Sequence, residues 1–364
     1  MRILVLPCDG IGPEITAATM EVLQRADAAF GLGLSFDYDD VGFVSLEKYG
    51  TTLRPETLDK ARTYDGIILG PQSHMDYPPR EKGGVNVSGG FRVGLDLYAN
   101  VRPARSRAFL DRGAKNMDLV IMREATEGFY PDRNMYKGLG EFMPTPDIAM
   151  SVRKLTRHAC ERIARAAFEL AMKRKRKVTA VHKANNFIIT DGFFMECVRK
   201  IHAEFPEVEL NDVIIDAMAA HLVRDPSRYD VIVSTNFYSD ILSDLASELS
   251  GSLGLAGSIN ANAEAGLVCA QAQHGSAPDI QGQDRANPTS LILSAAMMLA
   301  WLGERRADAT LSAAAEEIER AVDAVLEDPA SRTRDLGGSI GCAEFGTRVA
   351  SAVGNPAPAR KTGT

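Results

Sequence analysis

The chain has 364 residues, 45% hydrophobic and 24% charged, with a formal net charge of −7. That is enough chain for about two domains around a large buried core. The acidic balance argues against general nucleic-acid binding, and the composition is that of an ordinary soluble globular protein.

In chain order, MRILVLP opens on a strand pattern with no secretory signal. Strand and helix then alternate: RILVLP, PEITAATMEVLQRADAAF, LSFDYDDV, a helix from Pro55, and DGIILG. This predicts α/β layering, a sheet covered by helices. Between the first strand and helix, CDGIGPEI places Gly10 and Gly12 in a tight turn and Pro13 in the first helical turn. A helix N-terminus there could hold an anion. However, the third glycine of the dinucleotide fingerprint GxGxxG is missing, and no acidic residue closes a second strand. The segment QSHMDYPPREKGGVNVSGG reads as a loop too polar and broken for regular structure, and too long for a mere connection.

Further on, strands MDLVIMRE, KVTAVHK and YDVIVSTN bracket the helices SVRKLTRHACERIARAAFELAMK, DGFFMECVRKIHAEF and SDILSDLASELSGSL. The basic run Lys173-Arg174-Lys175-Arg176-Lys177 is expected to decorate the C-terminal end of the first of these. An apolar helix over 288–303 is too short to span a bilayer, and an Ala/Glu-rich helix follows it. NPAPARKTGT reads as a frayed tail. The five cysteines show no CxxC spacing, which predicts reduced, mostly buried thiols and no zinc site. A cytoplasmic location is expected.

Chemistry first shows in the acidic residues. Asp240 and Asp244 in SDILSDL are four apart and share a helix face. Like charges so placed repel unless a cation or a task offsets them, and hard oxygen ligands suit Mg²⁺ or Mn²⁺. A solvated helix face gives the same pattern. Asp216 in VIIDAMAAHLVRDP and Lys183 in TAVHKANNFIITDGFF stand upstream.

A set of motifs occurs in order: DGIGPEI, ANVRP, REATEGFY, VHKANN, TDGFF, IDAMAAHLVRDP, TNFYSDILSDLASELSGSLGLAGS, HGSAPDIQGQDRANP and DLGGS. Together they resemble the β-decarboxylating dehydrogenases, namely the isocitrate, 3-isopropylmalate, homoisocitrate and tartrate/D-malate dehydrogenases. The resemblance covers nearly the whole chain. It implies an isopropylmalate-dehydrogenase-like, non-Rossmann two-domain α/β fold with a central cleft. Residues 1–98 and 254–354 would form a large cofactor-binding domain. Residues 99–253 would form a small domain carrying an intersubunit arm near 130–160, and 355–364 the tail. It also implies a homodimer whose subunits share residues in each active site, a small-molecule substrate, and neither nucleic acid nor membrane as partner.

For the site, the resemblance implies that Arg92, Arg102 and Arg123 hold the two carboxylates of a malate-type substrate, a task suited to guanidinium forks. Asp240 and Asp244 of one subunit and Asp216 of the other would hold Mg²⁺ or Mn²⁺. Lys183 would help remove the hydroxyl proton, and Tyr130 would protonate the enol carbon. His274, Gly275, Ala277, Asp279 and Asn287 would line the adenosine site, with Asn185 near the nicotinamide. A carboxylate at Asp279 repels a 2′-phosphate, so the expected cofactor is NAD.

The substrate loop departs from the pattern. Ser88 and Gly89 stand where isopropylmalate dehydrogenases carry leucines, and Asn86 and Ser88 where isocitrate dehydrogenases tend to have Ser and Asn. Gly89 and Gly90 leave room for a larger or more polar substituent, and Phe91 offers an aromatic wall. The expected reaction is therefore NAD-dependent, metal-assisted oxidative decarboxylation of a 3-carboxy-2-hydroxy acid other than plain 3-isopropylmalate. The alternatives are 3-isopropylmalate dehydrogenase of leucine biosynthesis, tartrate/D-malate dehydrogenase, and a non-catalytic regulatory homologue.

Overall fold

This computed structural model describes residues 1–354; the expected tail, 355–364, lies outside the described residues. In chain order the elements are β1 (Arg2–Leu6), α1 (Gly12–Phe30), β2 (Ser35–Tyr38), α2 (Phe43–Tyr49), α3 (Pro55–Ala61), β3 (Gly66–Leu69) and α4 (Val87–Gly94). Next come β4 (Ala99–Arg105), β5 (Asp118–Glu124), β6 (Glu141–Thr145), β7 (Ile148–Ser151), α5 (Arg157–Met172), β8 (Lys177–His182) and α6 (Thr190–His202). They are followed by β9 (Glu209–Ile214), α7 (Ile215–Arg224), β10 (Val231–Ser234), α8 (Asn236–Leu249), β11 (Ile259–Asn262) and β12 (Leu267–Gln271). The last are α9 (Thr289–Arg306), α10 (Ala309–Glu327) and α11 (Cys342–Ala352). No helix among the described residues is long and apolar enough to cross a membrane. All five cysteines are free and buried.

Two compact units emerge. Within the described residues, the first comprises Met1–Val87, Gly254–Ser258 and 268–354. Its β1 pairs in parallel with β2 and β3, and β3 with β12. Parallel strands are covered on both faces, so β1 after Arg2 and all of β3 are apolar and buried. Helix α1 starts with a proline in its first turn and stops at Gly31, whose φ of 66° closes the last turn. It packs its Ile15, Val22 and Ala26 face on α9 and α11.

Gly10 shows what the opening turn is for. It has φ +56°, and a Cβ there would sit 2.0 Å from the Ser276 carbonyl oxygen. The turn thus closes directly against the 274–279 loop. The neighbouring Cys8 adopts φ 60° without being glycine, a conformation that costs a β-carbon residue energy.

The second unit is Ser88–Leu253 with Ile259–Leu267. Here β5, β10, β8 and β9 run parallel, and β4 lies antiparallel to both β5 and β11. Successive residues face opposite layers. Val120, Met122, Val231 and Val233 pack with Phe168 of α5 and Phe194 of α6. Leu119, Ile121 and Ile232 pack with Met218 of α7 and Leu242 of α8.

Three sequence expectations need correction. The segment after β3 is not structureless: short 3₁₀ turns form at His74–Asp76 and Arg80–Lys82, and α4 begins at Val87. Val87 and Phe91, one turn apart, are 0% and 1% exposed and pin that helix despite its glycines. Phe91 therefore belongs to the interior and is no substrate wall. Helix α5 starts only at Arg157, because the Thr156 side chain accepts from the Ala159 N–H and caps it. The basic run does begin at the C-terminal end of α5, where Lys173 is the C-cap residue. Within it Arg174 reaches the buried Asp230 at 2.7 Å and Asp118 at 2.9 Å, a structural clamp.

Glu127 lies buried in this unit, accepting from the Thr156 N–H at 2.5 Å. Burial, reinforced by Glu124, pushes its carboxyl up to about 7. The unfolded chain releases this proton near 4.5, whereas the folded protein keeps it to about 7. Stability should therefore fall as pH rises through that window, and the cost should persist above it. Glu127→Gln keeps an acceptor for Thr156 and removes the charge. Denaturant unfolding should find it about 1–3 kcal/mol more stable than wild type at pH 8 and no more stable at pH 4.5. A difference independent of pH would contradict this assignment.

Candidate active site

The parallel strands bring the charged residues together. Arg123, the penultimate residue of β5, lies opposite Ser234 at the end of β10, which lies opposite Val181 of β8. His182 of β8 in turn lies opposite Ile214, the last residue of β9. The chain leaves β8 into Lys183, β9 into α7 with Asp216 in its first turn, and β10 into α8 with Asp240 and Asp244. Carboxyl ends of strands are where open α/β sheets gather ligands. Antiparallel β4 brings Arg102 opposite Ile121, and α4 contributes Arg92.

The three arginines and Asp240 form one cluster. Arg123 is 2% exposed; its Nε donates to Asn236 Oδ1 at 2.8 Å and its Nη1 donates to Asp240 Oδ1. Arg102 donates through Nη1 to Ser243 Oγ at 2.6 Å, Asp240 Oδ1 at 3.2 Å and Asp244 Oδ1 at 3.3 Å. Arg92 Nε donates to Asn260 Oδ1 at 2.9 Å. Burial lowers the Arg102 guanidinium to about 10, with the charge of Arg123 adding to the effect. Arg92 is also driven down, by burial and then by Arg123 and Arg102. Burial opposes ionisation of Asp240, but Arg123 and Arg102 prevail and hold it below its usual value. The Tyr130 hydroxyl donates to Asp240 Oδ2, and burial raises its pKa against the pull of Arg123. Three cations beside two carboxylates attract further anions.

Asp244 is more open, with 56% of its side chain exposed. Asp240 and Asp244 both turn toward Arg102, so they do share a face of α8. Asp216 is elsewhere in the same chain: its Oδ1 lies 2.5 Å from Lys183 Nζ, and that hydrogen bond lowers its pKa. Among the described residues of one chain, no three His, Cys, Asp or Glu side chains are placed to hold a metal. The carboxylate oxygens of Asp240 and Asp244 are a suitable start for a hard divalent cation, and they need further ligands.

In the first unit, His274, Gly275, Ala277 and Asp279 share one loop. Ala277 takes φ 39°, and Asp279 is exposed in a 3₁₀ turn. Burial lowers the His274 pKa, so its ring is neutral at neutral pH. Its Nδ1 meets the Gly275 carbonyl at 2.9 Å, while Nε2 is buried with no partner among the described residues. Space above Gly275 is open, with nothing within 4 Å of an added Cβ. An orphaned imidazole nitrogen beside open space fits a polar group of a nucleoside cofactor. The side chain of Asn287 is already partly committed: Nδ2 donates to Asp335 Oδ2 at 2.9 Å, and Oδ1 accepts from the Thr289 N–H at 3.0 Å. One amide hydrogen and one Oδ1 lone pair of that side chain remain for a ligand.

Asn86 accepts at Oδ1 from Gln72 Nε2 at 2.8 Å, and Ser88 is 8% exposed on α4, one turn before Arg92. Asn185 is exposed beyond Lys183. Sequence reasoning missed Asn236, Ser243 and Asn260, the neutral residues that orient the three guanidiniums. Asn236 stood in plain view in TNFYSD, but Asn260 lies in a featureless stretch. It also missed Asp9, which is 5% exposed. Asp9 accepts from the Phe43 and Ser73 N–H groups and the Tyr77 hydroxyl, so it tethers the loop after β3.

The family model for isocitrate/isopropylmalate dehydrogenase matches residues 2–349. The chain is 38% identical over 351 residues to a 3-isopropylmalate dehydrogenase of Archaeoglobus fulgidus, covering 96% of this chain and 98% of that protein. It is 40% identical over 354 residues to an isocitrate/homoisocitrate dehydrogenase of Thermus thermophilus, covering 97% and 98%. The crystal structure of isocitrate dehydrogenase from Methylococcus capsulatus superposes with a TM-score of 0.85 at 38% identity, covering 97% of this chain and 99% of that one. The α/β fold expected from the motifs is thus that of isocitrate dehydrogenase, and the charged strand ends sit in a known enzyme scaffold. The chain belongs to the isocitrate/isopropylmalate dehydrogenase family, oxidoreductases that act on a CH–OH group.

Proposed function

We propose that the protein catalyses NAD-dependent, divalent-metal-dependent oxidative decarboxylation of a substituted malate, giving a 2-oxo acid and CO₂. The cluster of Arg92, Arg102 and Arg123 around Asp240 and Tyr130 carries this reading. Its three guanidiniums match the two carboxylates of a 3-carboxy-2-hydroxy acid. The cation would rest on Asp240 and Asp244 of one chain and Asp216 of a second copy. When bound, NAD supplies the hydride acceptor and the cation (Mg²⁺ or Mn²⁺) supplies a Lewis acid at the substrate's C2 oxygen.

The chain's own residues do the rest. The arginines orient both carboxylates. Lys183 of a second copy accepts the hydroxyl proton as the neutral amine, which requires Asp216 to leave their ion pair for the cation. Tyr130, kept protonated by burial, delivers a proton to C3 after CO₂ departs. Two exposed apolar segments support a homodimer with shared sites. One is the β6–β7 hairpin, where Phe142, Met143, Ile148 and Met150 are 46–62% exposed. The other is Phe187-Ile188-Ile189, 42–84% exposed just after Lys183. The hairpin falls within the segment expected to form an intersubunit arm.

The substituent on C3 would meet the turn of α4 before Arg92, where Ser88 and Gly89 offer no bulky apolar surface. A polar or larger group than isopropyl suits that face. Relatives named for 3-isopropylmalate keep that substrate as the second reading.

A screen of isocitrate, homoisocitrate, tartrate, 3-isopropylmalate and aryl-substituted malates with NAD and Mn²⁺ tests the reading. NADH should form with CO₂ release, fastest with a substrate other than 3-isopropylmalate. Fastest turnover of 3-isopropylmalate would overturn the substrate assignment, and no NADH with any malate would favour a regulatory homologue. Lys183→Met and Asp240→Asn should each lower kcat by about 10²–10⁴-fold while the protein stays folded. Near-wild-type turnover of either would contradict the mechanism. NAD should be preferred to NADP by at least about tenfold in kcat/KM, and Asp279→Ala should narrow the gap. A preference for NADP in the wild type would refute the role of Asp279.

A further inference from the structure

A buried ion pair outside this chemistry ties the exposed hairpin to Lys183. Arg153 follows β7 by two residues, and its side chain is 6% exposed. Its Nη1 lies 2.6 Å from Asp191 Oδ1, and Asp191, in the first turn of α6, is wholly buried. The second carboxylate oxygen, Oδ2, accepts from the backbone N–H of Lys183 at 2.6 Å and from the Tyr238 hydroxyl at 3.2 Å. The Lys183 carbonyl in turn accepts from the N–H groups of Asn186 at 3.0 Å and Phe187 at 2.8 Å. The lysine's backbone is thus held at both ends, and only its side chain can move.

Arg153 also gathers the other site elements. It donates to Thr190 Oγ1 and to Thr235 Oγ1, each at 3.1 Å, and Thr235 is the N-cap residue of α8, which bears Asp240. Its guanidinium sits over the rings of Phe129 at 4.4 Å and Tyr238 at 5.3 Å. Phe129 directly precedes Tyr130. One side chain at the root of the hairpin therefore touches the elements carrying Lys183, Asp240 and Tyr130.

Stability alone does not account for such a pair. Desolvating two charges offsets most of their attraction, and well-packed apolar substitutes often serve as well or better. What a buried, directional pair adds is a fixed arrangement. We propose that Arg153 and Asp191 are positioning residues for Lys183: the pair locks the lysine's backbone to the root of the hairpin and so fixes where its amine is presented. This rests on the reading above, in which Lys183 accepts the hydroxyl proton.

The test is a double-variant cycle with Asp191→Asn and Lys183→Met, using Mn²⁺, NAD and the malate turned over fastest in the screen. Misplacing a catalytic group by about 1 Å can cost about 10²-fold, so Asp191→Asn should lower kcat by that order. Its KM for NAD should stay at the wild-type value, and the double variant should be no slower than Lys183→Met alone. Wild-type kcat for Asp191→Asn beside an inactive Lys183→Met would overturn the inference and leave the proposed function standing. So would losses that multiply in the double variant. An active Lys183→Met would instead remove the lysine's proposed role, and this inference with it. If Asp191→Asn fails to fold, Arg153→Lys keeps the charge but gives up the fork to the two threonines. It should lower kcat by about tenfold, again with no added loss on top of Lys183→Met, and a wild-type kcat there would equally refute the pair's role.

Discussion

The gathering of three guanidiniums, two of them buried, around the part-exposed Asp240 is the constraint on which the second unit turns. Arg123 and Arg102 add to the burial that lowers the proton affinity of Arg92, Arg123 does the same to Arg102, and Asp240 and Asp244 answer only part of the cluster's charge. A buried cation without a partner costs several kcal/mol, so each guanidinium must be oriented by something. Neutral acceptors do this: Asn236 for Arg123, Ser243 for Arg102 and Asn260 for Arg92. The remaining positive charge is a standing demand for an anion of the right shape. A malate-type dicarboxylate meets it on the proposed reading.

The same charge logic explains the pairings within one chain. Asp240 and Asp244 lie against arginines, and Asp216 lies against Lys183. Each acidic group is neutralised locally, yet the carboxylates are not gathered into one set of ligands. A second copy bringing Asp216 and Lys183 to the Asp240 side would complete that set. The exposed apolar residues on the β6–β7 hairpin and after Lys183 are the surfaces such a copy would cover. The Arg153–Asp191 pair joins these two segments, so assembly and the presentation of Lys183 would be set by one arrangement.

Legibility from the sequence followed the chemistry. Residues whose roles demand a particular functional group, such as Asp240, Lys183 and Arg123, stood in motifs that named the family and its fold. Residues that merely orient them did not, because an asparagine or serine in a turn is unremarkable until its partner is known. Asp191 stands in the motif TDGFF, and nothing local marks it as the acceptor for Lys183 N–H eight residues earlier. The β6–β7 hairpin was invisible as strand because every residue of it is exposed, which leaves no alternation to read. The segment before Arg92 looked structureless because Pro and Gly dominate it, yet two buried side chains, Val87 and Phe91, suffice to fold its end into α4. That burial also removed Phe91 from the substrate side, which composition alone had left open. Asn287 shows the reverse: its motif position was legible, but not the commitment of its side chain to Asp335.

The central claim is that each active site is completed by a second copy of the chain. Mixing inactive Lys183→Met protein with inactive Asp240→Asn protein, unfolding and refolding them together, tests it most directly. A hybrid dimer would carry one site with both residues intact and one with neither. Random reassembly should then restore about a quarter of wild-type NADH formation, since half the dimers would hold one working site of two. No recovery, with hybrid dimers shown to have formed, would mean that Lys183 and Asp240 serve the same site from one chain.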